Sequence, residues 1–247
     1  MAHQNVDATV RNTAGALSEL RARFNERLIT ADDAEYDEAR TPFYGGFDRR
    51  PLAIVRPTDA AEVAHIVALA RDSGVELAIR SGGHSMAGHS LSDGGIVLDL
   101  KNIRELEIDP VARTAWAEAG LTAGEYTAAA AEYGLATGFG DTGSVGIGGI
   151  TLGGGIGYLV RKYGLTIDNL LAAEIVTADG ECLYVDADNH PDLFWAIRGG
   201  GGNFGVVTRF KFRLHPVDRV VGGFLILPAT PESVAAFIAA AEAAPEE

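Results

Sequence analysis

Apolar residues recur along this chain with two periods, one typical of helices and one typical of strands. From Val10 to Leu28 they recur at close to helical spacing, which predicts a helix within residues 1–30. Between residues 206 and 214 apolar and polar side chains alternate, and this period of two predicts a half-buried strand. The chain therefore combines helices with strands.

Residues 53–90 have the order strand, helix, strand, loop. A short apolar run opens the segment, and Asp59 and Glu62 then stand at the spacing of a capping box, which marks the start of a helix. Gly74 ends this helix. A second apolar run, residues 75–79, leads directly into a glycine-rich loop.

Further helices and strands follow this loop. Thr122 and Glu125 form a second capping-box pattern and begin an alanine-rich helix that extends to Tyr133. Asp179-Gly180 predicts a hairpin turn, and Pro191 begins a short helix whose Phe194 and Trp195 are expected in the core. Short strands are predicted at residues 96–100, 106–108, 114–118, 172–177 and 181–185.

The composition is that of a globular chain with a hydrophobic core. The chain has 247 residues, of which 47% are hydrophobic, and this length allows one large domain or one and a half ordinary ones. No apolar run is long enough to span a membrane, and residues 1–4 do not lead into a secretory signal. The single cysteine, Cys182, excludes an internal disulfide and favours a cytoplasmic location.

The charge balance argues against nucleic acid as a partner. The formal net charge is −14 at pH 7, whereas a protein that binds the phosphate backbone needs a surplus of lysine and arginine. The histidines outside the glycine-rich loop are isolated from one another, and one cysteine cannot form a multi-cysteine zinc site. We therefore expect no metal site.

The loop that follows residues 75–79 carries the most specific pattern in the chain. It reads Arg80-Ser81-Gly82-Gly83-His84-Ser85-Met86-Ala87-Gly88-His89-Ser90. Its three glycines permit positive φ angles that are closed to other residues. Successive N–H groups in such a turn can point into one concavity and hold an anion such as a pyrophosphate. His84 lies inside the turn, where it can meet whatever the phosphates carry.

A second glycine-rich segment, residues 138–157, interleaves its glycines with apolar residues. This density of glycine is too high for the interior of a helix or strand, so we expect backbone that lies flat against a wide planar ligand. Two literal G-x-G-x-x-G matches occur, at 138–143 and 200–205. Neither has both the strand before it and the helix after it that a dinucleotide fingerprint requires, so a nicotinamide-binding Rossmann site is rejected.

Together the two glycine-rich segments resemble those of the vanillyl-alcohol-oxidase superfamily of flavoproteins, with its PCMH-type FAD-binding domain. More narrowly, the chain looks like the berberine-bridge-enzyme-like branch over about residues 35–217. The resemblance implies an α+β fold in which two small α/β subdomains enclose an extended FAD. It also implies that His84 is bonded to the 8α carbon of the flavin. The residues that it assigns to the cofactor are Arg80, Ser81, Gly82, Gly83, His84, Ser85, His89, Ser90, Thr142, Ser144, Val145, Gly148, Gly149, Gly153, Gly157 and Val207.

One position departs from a variant of the family pattern. Some members carry a second covalent flavin link, from a cysteine three residues before the valine that is Val145 here. In this chain that position is Thr142. The resemblance therefore implies a single covalent link, through His84. Cys182 is expected to be a half-buried residue of the predicted hairpin.

The resemblance also divides the chain into a helical segment (1–34), the FAD-binding domain (35–217) and the start of a truncated substrate-binding domain (218–247). In the last part we expect a strand at Val220–Leu227 and a helix at Ser233–Ala244. The substrate-side acid–base residues of the family have no counterpart here, so no catalytic residue is assigned. We expect the exposed surface of 218–247 to meet a second polypeptide or another copy of the chain.

The activity implied by the resemblance is that of an FAD-dependent oxidoreductase. Hydride would pass from a small alcohol, sugar or amine-type substrate to the flavin, and from there electrons would pass to oxygen or another acceptor. Two alternatives remain open at this stage. One is a non-covalent flavoenzyme of the same fold, and the other is a catalytically silent flavin-binding subunit that needs a second chain.

Overall fold

Two β-sheets and the helices around them make up the fold. The structure, a computed structural model, describes residues 2–217, 220 and 222–245, with side chains from residue 12 onward. The helices are α1 (Ala2–Phe24), α2 (Tyr36–Arg40), α3 (Ala60–Ser73), α4 (Ala123–Ala131), α5 (Ile147–Gly153), α6 (Val160–Tyr163), α7 (Pro191–Ile197) and α8 (Pro231–Ala243). The strands are β1 (Leu28–Ile29), β2 (Ala53–Val55), β3 (Leu77–Arg80), β4 (Ile96–Asp99), β5 (Leu106–Asp109), β6 (Thr114–Glu118), β7 (Leu135–Ala136), β8 (Leu170–Val176), β9 (Cys182–Asp186), β10 (Val206–Arg213) and β11 (His215–Pro216).

The first sheet has the order β1-β2-β4-β3. Strands β2, β4 and β3 are parallel, and β1 joins antiparallel at the edge. Helix α3 connects β2 with β3, as the predicted order of strand, helix and strand requires. The loop that begins at Ser81 follows directly after the carboxyl end of β3. A parallel sheet places its strand ends along one edge, which is where ligands bind in folds of this kind.

The second sheet is antiparallel, with the order β5-β6-β10-β8-β9. The last strand in sequence, β10, lies at its centre, where Phe210 is opposite Ala117 of β6 on one side and Ala173 of β8 on the other. The hairpin predicted around Asp179-Gly180 is present as the β8–β9 pair. A small third sheet pairs β7 with β11.

One hydrophobic core joins the two large sheets. Leu20 and Phe24 of α1 pack in the same cluster as Ile66 of α3, and this cluster continues to Phe210 and Phe212 of β10. Each of these five side chains is almost completely buried. The N-terminal helix is therefore packed against the body of the fold, and its predicted helical character is confirmed.

The two predicted capping boxes form to different extents. At α4, Thr122 and Glu125 bond reciprocally, so this box is complete. At α3, Asp59 accepts from the Glu62 N–H at 2.8 Å, but the Glu62 carboxylate turns away. It accepts from the Thr58 N–H at 2.8 Å and from the Arg27 guanidinium, with one Nη2–Oε1 distance of 2.7 Å. An ion pair with the N-terminal region therefore replaces half of the box at α3.

The strand expected at Val220–Leu227 is wrong. Its described residues have no strand conformation and are exposed, with Phe224 completely so. A strand needs a neighbouring strand to satisfy its backbone N–H and C=O groups, and none of the described strands lies beside this segment. The predicted helix is confirmed as α8, which begins slightly earlier, at Pro231. Asp218, Arg219, Val221, Glu246 and Glu247 lie outside the described residues.

Two side chains predicted to be partly or fully covered are exposed. Cys182, at the start of β9, is exposed rather than half-buried, because β9 is an edge strand that pairs only with β8. Trp195, expected in the core, is 77% exposed, whereas its neighbour Phe194 is buried. On a short helix adjacent residues point in different directions, so only one of the two rings can face the core.

Candidate functional site

A cleft of about 770 Å³ lies along three glycine-rich segments. The first is the loop at 81–90, the second spans residues 145–153 and the third spans residues 199–207. The first sheet contributes the residues of β3 to the floor of the cleft, and the second sheet contributes the start of β10. No aspartate, glutamate, lysine or arginine side chain is among the described residues that line it, so no carboxylate there repels a bound anion although the whole chain is strongly negative.

Positive φ angles and backbone hydrogen bonds hold the loop at 81–90. Gly83 has φ +71° and Gly88 has φ +73°, and residues with a Cβ rarely adopt these backbone conformations. The Gly83 carbonyl accepts from the Phe43 N–H at 3.1 Å. The Ser81 hydroxyl donates to the Ala119 carbonyl at 2.6 Å, which ties the loop to the segment before α4.

The first and second glycine-rich segments touch backbone to backbone at Gly82 and Gly146. A Cβ added to either residue would overlap the backbone N and Cα of the other. A Cβ on the next glycine of the second segment, Gly148, would lie 3.2 Å from the Ser81 side chain. Glycine is thus required here for close approach and not for a turn.

The second glycine-rich segment contains a helix, which corrects the expectation that it would be neither helix nor strand. Helix α5 contains Gly148, Gly149 and Gly153. Propensity is overridden by packing, because Ile147 and Thr151 are completely buried on the inner side of the helix. On the cleft side, a Cβ added at Gly149 or Gly153 would meet nothing within 4 Å. The helix therefore presents bare backbone to the cleft, as expected for a surface that receives a flat ligand.

His84 is held on both its face and its edge. Its ring stacks on Phe43 with centroids 3.9 Å apart and planes inclined by 15°, and Tyr44 meets it edge-on at 6.0 Å. Its Nε2 lies 3.2 Å from the Ser144 hydroxyl. Burial lowers the pKa of His84 from its ordinary value of 6.5, against a smaller opposing effect of hydrogen bonding to the Ser144 backbone. The imidazole is therefore neutral at pH 7.

Most of the residues predicted to bind the cofactor lie around this cleft. Those that line it are Ser81, Gly82, Gly83, His84, Ser85, His89, Ser90, Val145, Gly148, Gly149, Gly153 and Val207. Ser144 does not line it but reaches it through the contact with His84. Arg80, Thr142 and Gly157 are placed elsewhere.

Arg80 faces a second, smaller cleft of about 260 Å³ on the other side of the loop. Its guanidinium is buried, where it donates to the Ala39 carbonyl at 2.6 Å and to the Asp99 carboxylate at 2.9 Å. Thr142 is exposed and its hydroxyl donates to the neighbouring Asp141. A Cβ on Gly157 would lie 2.8 Å from the Gly140 N, so this glycine serves chain packing.

Several lining residues were not assigned from the sequence. They are Leu77, Ala78, Ile79, Leu100, Gly146, Ile150, Leu152, Gly199, Gly200, Gly201, Gly202 and Asn203. The glycines at 199–205 carried a usable signal, because a glycine-rich loop before a buried strand is unusual in a chain stabilised by packing alone. The apolar side chains of β3 gave no such signal, since the same pattern describes any core strand.

The residues present fit an extended dinucleotide with a planar ring system. Ser90 Oγ is buried without a hydrogen-bond partner among the described residues, although Ser90 lines the cleft. A buried hydroxyl of this kind is costly unless a bound group satisfies it. The N–H groups of the loop suit phosphates, and the bare surface of α5 suits a flat ring. The cleft volume lies within the usual range for small-molecule and cofactor sites.

Two other kinds of site are absent from the described part of the chain. No helix there has both the length and the apolar character needed to cross a membrane. Among the same residues, no three histidine, cysteine, aspartate or glutamate side chains form a group that could hold a metal ion.

Comparison with known proteins finds the same features in flavoproteins. The FAD binding domain family matches residues 51–186, more than half of the chain. (R)-6-hydroxynicotine oxidase of Paenarthrobacter nicotinovorans is 41% identical over 199 residues, which cover 80% of this chain and 43% of that protein. The chain thus spans less than half the length of this curated relative.

Solved structures give the same result. The berberine-bridge-enzyme-like protein 1 of Physcomitrella patens superimposes with a TM-score of 0.77 at 35% identity, over 81% of this chain and 44% of that one. Glucooligosaccharide oxidase of Acremonium strictum, described with a 6-S-cysteinyl, 8α-N1-histidyl FAD, gives a TM-score of 0.73 at 32% identity. That match covers 77% of this chain and 40% of that one.

The fold of two sheets around a glycine-lined cleft is therefore the PCMH-type fold of these FAD oxidases. Sequence, fold and cleft agree, and the chain belongs to the FAD binding domain family, among the FAD-linked oxidoreductases that include the berberine-bridge-enzyme-like proteins.

Proposed function

We propose that this chain is the flavin-binding part of an FAD-dependent oxidoreductase that oxidises a small alcohol, sugar or amine-type substrate, with FAD bonded covalently through His84. The observation that carries the proposal is the position of His84 at the glycine-lined cleft, where the ring is neutral and fixed by its neighbours. The relatives support the substrate classes, since their names include a 6-hydroxynicotine oxidase and a glucooligosaccharide oxidase.

The bound flavin supplies the redox chemistry, by accepting hydride and passing the electrons to oxygen or another acceptor. The protein contributes binding and orientation. The loop N–H groups and the Ser90 hydroxyl hold phosphate oxygens, and the bare backbone of Gly149 and Gly153 receives the ring system. Residues 199–202 and the start of β10 line the rest of the cleft, where they would hold the remaining length of the cofactor.

The test is to denature the purified chain and measure the flavin that stays with it. We expect the wild-type chain to remain yellow and to weigh one FAD more than its polypeptide, and His84→Ala to release all its flavin while still binding FAD reversibly. Complete release by the wild-type chain would contradict the covalent bond and leave the non-covalent flavoenzyme. A substrate-binding part would then be added and the chain mixed with alcohols, sugars and amines. If none of them reduces the flavin, the result would favour the catalytically silent subunit.

We also propose that the catalytic acid–base residues come from a substrate-binding part outside these residues. The exposed apolar side chains around α8 are where that part would dock, whether it is a second polypeptide or a segment of the same one. Phe224, Leu225 and Ile226 are 70% exposed or more, and Phe237 of α8 is 53% exposed. A patch of this kind marks an interaction surface.

A further inference from the structure

The imidazole of His84 is restrained in two independent ways. Stacking on Phe43, at 3.9 Å and 15°, fixes the plane of the ring. The contact between Nε2 and the Ser144 hydroxyl, at 3.2 Å, fixes which way round the ring lies in that plane. Without the second restraint, a half-turn about the Cβ–Cγ bond would put Cε1 in the place of Nε2 and Cδ2 in the place of Nδ1.

The two ring nitrogens have different surroundings. Nε2 is engaged by Ser144, whereas no hydrogen bond joins Nδ1 to any other described residue. In a neutral imidazole one nitrogen carries the proton and the other has the free electron pair. If Nε2–H donates to the Ser144 oxygen, the free electron pair is on Nδ1, which is then the nucleophile.

We propose that Ser144 is a positioning residue that makes Nδ1 of His84 the nitrogen that bonds to the flavin. The proposal rests on the proposed function, in which His84 forms the covalent link. Ser144 holds the ring through its hydroxyl both before and after the bond forms. It accepts from Nε2–H in the free imidazole, and it donates to Nε2 once Nδ1 has been substituted.

The bond-forming step balances with dioxygen as the oxidant. One proton leaves the 8α methyl group, and the electron pair of that C–H bond remains in the flavin ring system. The Nδ1–C8α bond forms, and the imidazole loses the proton that was on Nε2. Dioxygen then takes up two electrons and two protons and leaves as hydrogen peroxide, so the flavin returns to its oxidised state.

The chemistry of this exchange explains why a hydroxyl suits the position. Before the step the neighbour of Nε2 has to accept a hydrogen bond, and afterwards it has to donate one. A serine or threonine hydroxyl does both by rotating its hydrogen, whereas an ammonium can only donate and an ionised carboxylate can only accept. Since Ser144 is exposed, its side chain is not required for core packing.

Ser144→Thr and Ser144→Val form a matched pair, because their side chains have the same shape and only threonine has the hydroxyl. Flavin-free chain is mixed with FAD in air, and the fraction of flavin that survives denaturation is followed with time. The flavinyl peptide is then isolated, and its linkage nitrogen is determined by NMR. Ser18→Ala, on an exposed part of α1, serves as the unrelated serine control.

We expect Thr to attach flavin at nearly the wild-type rate and only through Nδ1. Val should attach it about tenfold more slowly, the effect of losing one hydrogen bond that orients the ring, because the turned ring presents Cδ2 in the place of Nδ1. Equal rates and equal linkage in Thr and Val would overturn the proposal, as would loss of reversible FAD binding in both. If the wild-type chain itself forms no covalent bond, it is the proposed tether at His84 that fails.

Discussion

The contact of Gly82 with Gly146 shows how single residues set the shape of the cleft. These glycines join the loop after β3 to the segment before α5, and each occupies the space that a Cβ on the other would need. Gly149 has the opposite role, because it faces open space and leaves the cleft empty for a ligand. The same residue type therefore serves packing at one position and binding at another.

This difference can be measured with two alanine variants. Gly82→Ala forces two backbones apart, so we expect a loss of about 2 kcal/mol or more in the free energy of unfolding and loss of FAD binding. Gly149→Ala meets no atom of the protein and improves helix propensity, so the flavin-free chain should be at least as stable as wild type. Its added methyl occupies the cleft, and FAD should bind more weakly.

Thermal unfolding of the flavin-free variants and titration with FAD give the two readouts. A stable Gly82→Ala chain would show that the loops are less closely apposed than the structure has them. Undiminished FAD binding by Gly149→Ala would remove α5 from the binding surface.

At the scale of secondary-structure elements, an ion pair between Arg27 and Glu62 attaches the N-terminal region to α3. The hydrogen bond from Arg27 is the largest cause that lowers the pKa of Glu62, from its ordinary value of 4.5 to about 2. The Glu62 side chain is only 15% exposed, so solvent screens the pair weakly. A lowering of this size corresponds to at most about 3.5 kcal/mol.

The sign of the pH effect follows from the lowered pKa. The ionised Glu62 stabilises the fold above pH 4.5, and this stabilisation is lost as the pH falls towards about 2. Glu62→Gln should therefore lower the free energy of unfolding at pH 7 and reduce its dependence on pH between these values. Denaturant titrations at several pH values test this, with the exposed Glu132→Gln as control. If the free energy of unfolding of Glu62→Gln falls with acid pH just as in wild type, other carboxylates cause the pH dependence.

Secondary structure was predictable wherever it depends on local pattern. The α3 and α4 starts, the hairpin at Asp179-Gly180 and strand β10 all follow from capping residues, turn residues or alternation. Helix α5 was missed because its stability comes from buried Ile147 and Thr151, which no propensity scale contains. The strand expected after Val220 failed for the same reason, since apolar residues form a strand only where a partner strand is available.

Prediction of the site shows the same division. The loop residues 81–90 could be assigned to a binding site from their spacing alone. The structure places most of the residues predicted there at the cleft. Arg80 belongs to the same motif, yet its partner Asp99 lies on β4 and is identified only by the parallel pairing of β3 with β4. The stacking of Phe43 on His84 likewise depends on tertiary structure.

For the whole molecule, the contrast is between one continuous core and one uncovered surface. The core includes residues of both sheets and of α1, whereas Phe224, Phe237 and Ile238 remain about half exposed or more. Arg161 connects α8 to the body by donating to the carbonyls of Ala241 and Ala244, at 3.3 and 3.1 Å. The apolar surface itself contributes nothing to the stability of the described fold.

We therefore expect replacement of Phe224, Phe237 and Ile238 by serine to change the free energy of unfolding by less than about 0.5 kcal/mol each. The triple variant, with all three residues replaced, should self-associate less than wild type because the apolar patch is removed. Light scattering over a range of concentrations measures this. Phe210→Ser, at a completely buried position, is the contrasting control and should cost about 3–5 kcal/mol. Equal self-association before and after the surface change would place the contact elsewhere.

The central position of β10 has a consequence for the order of events during synthesis. The ribosome synthesises a chain from its N-terminus at about 5–20 residues per second. The β5–β6 and β8–β9 pairs can therefore form as separate hairpins while later residues are still being added. Only β10 connects them, and Val206 and Val207 at its start also complete the wall of the cleft. A nascent chain that stops before residue 206 has the histidine and the phosphate loop but no closed groove to retain the cofactor. Flavin is therefore captured after translation of this region, by the assembled fold.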